Sequence, residues 1–211
     1  MSINLIYIAV VIAVIFFSMT IHELMHGMVS FWLGDDTAQR AGRLSLNPLR
    51  HIDPFLTIIL PVALAVVGAP IFGGAKPVPF DPGKVKGGEW GAALVAIAGP
   101  LTNLVLAFLF FGVWVLVGLP TSDLASVILL AGVSVNLGFF VFNLIPIPPL
   151  DGSRVIYALA PDFVRAGMDF IERYSVLLVF LLVLLFSRYV GVIITDVSSF
   201  FFTVFSHIFG L

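Results

Sequence analysis

The chain has no cysteine in 211 residues, which excludes a disulfide framework and thiolate metal sites. Charge is also scarce: 10% of residues are charged, against roughly 25% in an average soluble domain. The basic residues are scattered and the net charge is −2, so nucleic acid is not expected as a partner. No stretch is long and polar enough to form a separate soluble domain, and neither an internal repeat nor a low-complexity tail is present. The first apolar run has no basic leader and no small-residue cleavage site, so it reads as a retained helix and not as a signal peptide. What the chain has in abundance is apolar surface, at 60% hydrophobic residues and a mean hydropathy of +1.15. That composition defines an integral membrane protein.

A helix needs about 20 apolar residues to span a bilayer. About five stretches qualify: Ile3–Leu33, Trp90–Leu119, Ala125–Ile145, Phe170–Phe186 and Tyr189–Phe209. A sixth, Phe55–Ala69, contains Pro61 and Gly68 and reaches only about 22 Å at 1.5 Å per residue. It is expected to be re-entrant or half-buried. If it does not cross, every Lys and Arg except Arg188 falls on one side, as the positive-inside rule prefers, with the N-terminus outside. The Pro- and Gly-rich loops 42–54 and 72–84 read as short strands and turns, giving small β-type loops near the site. At membrane depth such irregular backbone must wall a cavity. The expected fold is thus all-α and polytopic, with about five transmembrane helices.

Within the first span, His22, Glu23 and His26 spell H-E-x-x-H. On a helix, positions i and i+4 share a face, so both imidazoles reach one ion. With four His and three Glu, chance would place this pattern in about one such chain in a thousand. Polar residues inside an apolar span also need a compensating interaction. Zinc suits neutral imidazoles and, as a catalyst, keeps a position open for water. Glu23 is placed to take that water's proton. A third ligand is needed, and Asp151 in "NLIPIPPLDGSR" is the candidate. Asp-Gly is equally a turn or cap signal, and spacing leaves both readings open. His51 reads as a loop histidine that meets water, and Lys76 as a contact to lipid headgroups.

H-E-L-M-H (22–26), "AGPLTN" (98–103) and "NLIPIPPLDG" (143–152) together resemble the site-2 proteases, which are intramembrane zinc metallopeptidases. "GRLSLNPLRHIDP" and "AKPVPFDP" resemble their compact prokaryotic branch, which lacks PDZ and CBS domains. The resemblance implies one zinc ion on His22, His26 and Asp151, with Glu23 as general base. It implies a single membrane-embedded peptidase domain over 1–211, with a metal-binding core at about 3–154 and accessory C-terminal helices at about 168–209. The implied partners are the lipid bilayer and a transmembrane protein substrate, cut after an earlier cleavage removes its external domain. The unwound substrate would pair by β-addition with loop strands such as 42–54 or 72–80. The implied setting is a prokaryotic cell membrane, with the site nearer the cytoplasmic side. Asn103 and Asn143 are read as holding substrate backbone or the developing oxyanion, with interhelical bonding as the plainer account. Two departures are Gly74, where many relatives carry Trp, and Ser153, where a second Gly is frequent. The competing reading is a non-proteolytic membrane protein that uses the same cluster for ion transport or helix binding. The absence of repeated halves and the intact Glu23 speak against it.

Overall fold

The structure, a computed structural model, describes residues 5–66, 73–119 and 123–211. No proline interrupts the chain before Pro48, and the first apolar run forms one helix, α1 (Leu5–Trp32). A short turn of helix, α2 (Thr37–Arg40), follows it. After the loops, α4 (Gly88–Leu116) and α5 (Leu124–Asn143) return through the bundle. Asp123 caps α5 by accepting the Ser126 N–H at 2.8 Å, which satisfies one orphan donor of the first turn. Two short helices, α6 (Asp151–Leu159) and α7 (Asp162–Glu172), precede the long α8 (Ser175–Ile208). Helices α1, α4 and α5 pack on one another, and α8 joins mainly through α5. The core that α8 completes consists of Ala107, Phe111, Val133, Leu137 and Phe205.

Among the described residues four helices, not five, are long and apolar enough to cross a membrane: α1, α4, α5 and most of α8. The two C-terminal stretches expected to cross separately do not. Phe186 and Tyr189 are joined by Ser187 and Arg188, neither of which breaks a helix, so α8 runs through both. The chain breaks earlier, at Arg173–Tyr174, and Phe170 belongs to the short amphipathic α7. Apart from Arg188, the basic side chains still lie in the segments 33–87 and 144–174, at one end of the bundle.

The expected β-type loops are also corrected, since no strand occurs among the described residues. In "NPLRHIDP" each proline follows a cap residue and opens a helical turn. Asn47 accepts the Leu49 N–H and Asp53 accepts those of Phe55 and Leu56, starting the turns Pro48–His51 and Pro54–Ile59. Proline at the first helical position lacks only an N–H that would have no partner there anyway. The second turn continues as α3 (Leu60–Val66). The last residues of the expected Phe55–Ala69 segment lie outside the described residues. The chain nevertheless comes back beside its entry point: Gly74 N–H donates to Leu56 O at 3.1 Å, and Thr57 Oγ1 donates to Gly74 O at 2.6 Å. The described ends of this segment therefore lie at the same end of the bundle.

Residues 73–80 run extended without a neighbouring strand. The Lys76 N–H bonds to His51 O at 2.9 Å, and Arg43 Nη2 donates to Lys76 O at 2.6 Å. The Val78 N–H donates to Glu23 Oε2 at 2.8 Å. The alternate positions include Pro77 and Pro79, which have no N–H, so no ladder forms on that edge. Asp35, fully buried just after α1, pins the chain just beyond this segment. It accepts Ser30 Oγ at 2.9 Å, the Thr37 N–H at 3.0 Å and the Asp81 N–H at 2.7 Å.

Candidate metal centre

His22 and His26 lie one turn apart on α1, with ring centroids 4.6 Å apart and nearly perpendicular planes. Their Nε2 atoms face each other at 2.9 Å. His26 Nδ1 lies 2.7 Å from Val95 O. A carbonyl only accepts, so Nδ1 carries the proton and Nε2 keeps its lone pair. His22 Nδ1 lies 2.6 Å from Asn103 Oδ1.

Asp151 arrives from far along the chain as the first residue of α6. The turn that brings it there is tight: a Cβ on Gly152 would stand 2.2 Å from Leu144 O, a contact no other residue could make. Asp151 Oδ2 comes within 3.2 Å of His22 Nε2 and 3.4 Å of His26 Nε2. That oxygen is buried and makes no well-formed hydrogen bond. One ligand atom from each of the three residues falls within 4.8 Å of the others. Two lone-pair nitrogens and an unpartnered carboxylate oxygen, all facing one point, fit a divalent cation.

The opposite wall is main chain. A Cβ on Gly99 would lie 2.4 Å from His26 Nε2 and 2.6 Å from His22 Nε2, so α4 approaches the imidazoles only because residue 99 has no side chain. Glu23 stands beside His22 and is held by the Val78 N–H.

Of the residues singled out in the sequence, His22, His26 and Asp151 converge, and Glu23 adjoins them. Asn103 is near but turned to other work, since its amide is shared between His22 and Asn136. Asn143 donates to Phe139 O of its own helix at 3.0 Å. His51 is not a solvent-facing loop histidine: it is fully buried, with Nε2 2.8 Å from Ser45 O. The side chain of Lys76 is exposed. Sequence reasoning missed Gly99, Asn136, Arg43 and Asp35. The only signals for them were a glycine inside "AGPLTN", a lone Asn amid apolar residues, and charges at the edge of a span.

Fold and donor set together define an integral membrane protein with an H-E-x-x-H helix and a distant carboxylate closing one buried cluster. The chain is 41% identical to "Putative zinc metalloprotease YwhC" of Bacillus subtilis, over 75% of this chain and 72% of that one. It is 34% identical to "Putative zinc metalloprotease Rip2" of Mycolicibacterium smegmatis, over 76% of this chain and 62% of that one. To the protein of the same name in Mycobacterium tuberculosis it is 32% identical, over 79% and 62%. It belongs to the site-2 protease family. It spans less than two thirds of the length of both Rip2 proteins. No family model matches the chain, and no solved structure matches it.

Proposed function

We propose that the chain is an intramembrane zinc metalloendopeptidase that cuts peptide bonds in or near transmembrane segments of membrane proteins. We place it in a prokaryotic cell membrane, with its site toward the cytoplasm, where the basic loops belong. The observation that carries this reading is the buried, unpartnered Asp151 Oδ2 facing two imidazole nitrogens beside Glu23 in a bundle of membrane-length helices. In this reading His22, His26 and Asp151 hold zinc, and three protein ligands leave one position open. When bound, the ion supplies a Lewis acid that brings the pKa of a water to about 7. Glu23 accepts that water's proton and returns it to the leaving amine.

The substrate's peptide bonds are shielded by its own helical hydrogen bonds until the segment unwinds. The extended residues 73–80 lie where an unwound segment would pass, because Val78 already reaches Glu23. On their outer edge Pro77 O already accepts from Arg43 Nη2 at 3.4 Å, which leaves the carbonyls of Ala75 and Pro79 and the Ala75 N–H, so pairing there draws chiefly on the substrate's own N–H groups. Asn143, at the inner end of α5, is proposed to meet substrate backbone. For Asn103 we propose a role in orienting His22 in place of an oxyanion contact.

Glu23→Gln is expected to retain about one zinc per chain and to lose cleavage of a reporter helix by ~10²-fold or more. Asp151→Ala is expected to lower the zinc content itself, measured by elemental analysis of the purified chain. Unaltered cleavage in the Glu23→Gln form would refute the mechanism.

A further inference from the structure

Ser18 on α1, Asn103 on α4 and Asn136 on α5 are all at 0% exposure. Each would cost several kcal/mol in an apolar bundle unless bonded. They bond to one another. Asn103 Nδ2 lies 2.9 Å from Asn136 Oδ1, and Asn136 Nδ2 lies 2.9 Å from Ser18 Oγ and 2.8 Å from Gly132 O. With His22 Nδ1 at 2.6 Å from Asn103 Oδ1, the path leaves α1 at His22 and re-enters it one turn away at Ser18.

The two ends of an amide look alike, so the direction of such a path has to be argued from its partners. Gly132 O only accepts, so the Asn136 group facing it is the NH₂. Asn136 Oδ1 then faces Asn103, which must present its own NH₂. Asn103 Oδ1 is left to face His22, so His22 Nδ1 must carry the proton. Nε2 is thereby left with the lone pair that points at Asp151 and His26. Reversed, the path would set two acceptors 2.8 Å apart at Gly132 and put the proton on His22 Nε2.

We propose that Asn136, anchored on Gly132 O, is a positioning residue that fixes the tautomer and ring orientation of His22 through Asn103. This rests on the zinc reading given above.

The test is zinc affinity of the detergent-solubilised full chain, by competition with a chromophoric chelator. Asn136→Leu keeps the heavy-atom count and branching and removes both polar ends of the amide, and its affinity is expected to fall ~10–100-fold. Its cobalt-loaded absorption spectrum should change as well. Ser18→Ala leaves the Gly132 anchor in place and is expected to move affinity less than about threefold. Wild-type affinity in Asn136→Leu overturns the proposal, and so does an equal loss in both variants, which would mean general loosening of the bundle. A wild type that binds no zinc overturns the functional reading instead. Should Asn136→Leu fail to fold, ¹⁵N-histidine spectra of the zinc-loaded wild type decide. The proton is expected on His22 Nδ1 with the metal on Nε2, and metal on Nδ1 overturns the proposal.

Discussion

Gly99 leaves no room above the two imidazoles. A methyl group there would sit 2.4–2.6 Å from both Nε2 atoms, and its own helix is held rigidly against α1 and α5. Gly99→Ala is therefore expected to lower zinc affinity ~tenfold or more while the chain stays folded, read by elemental analysis beside circular dichroism. At this scale the H-E-x-x-H set was legible because both imidazoles are local to one helix, where the 3.6-residue period fixes their direction. Asp151 was only half legible, since its place depends on how the chain turns after Asn143. Asn136 was not legible at all. An Asn inside an apolar span satisfies itself on any neighbouring helix, and only the fold shows that its neighbour is Asn103.

Among the elements, α1, α4 and α5 lie within a few residues of the apolar runs that predicted them, because length and hydropathy decide a membrane helix. The loops were misread because proline has two meanings. It ends strands, and it also opens helical turns behind Asn or Asp, as at Pro48 and Pro54. The extended segment 73–80 is held by Arg43 and Glu23 along its length, and Asp35 fixes the chain just beyond it at Asp81. Burial raises the pKa of Asp35, but hydrogen bonds from Thr37, the Asp81 N–H and Ser30 outweigh it and hold the carboxyl at about 2 against its ordinary 3.8. A lowered carboxylate stabilises the fold above its ordinary pKa and loses that effect as pH falls through the folded value. Asp35→Asn is thus expected to melt below wild type, by about 1–3 kcal/mol of stability at neutral pH. The gap should stay constant down to a pH of about 4 and shrink between about 4 and 2, followed by thermal melting in detergent.

Across the molecule, the four membrane-length helices among the described residues, with a loop that returns beside its own entry, put every Lys and Arg but Arg188 at the end of the bundle that carries the candidate metal centre. The absence of cysteine makes the arrangement directly testable. With the N-terminus outside, Asp123→Cys should react in intact cells with a thiol reagent that cannot cross membranes, and Lys84→Cys should react only after permeabilisation. The reverse pattern would invert the topology.

Helix α8 is ~51 Å long, while the hydrocarbon layer is about 30 Å thick. Its only buried side chain among the described residues is Phe205, clasped with Phe201 and Phe209 by the aromatic rings of α4 and α5. The other end begins beside the returning loop, where Tyr174 and Phe180 share a groove with Phe55 and Leu60. Hydrophobic mismatch therefore falls on one member that is gripped at one end. A thinner membrane would lay it over and a thicker one would stand it up, so lipid chain length would act mechanically at the end of α8 that lies beside Phe55 and Leu60.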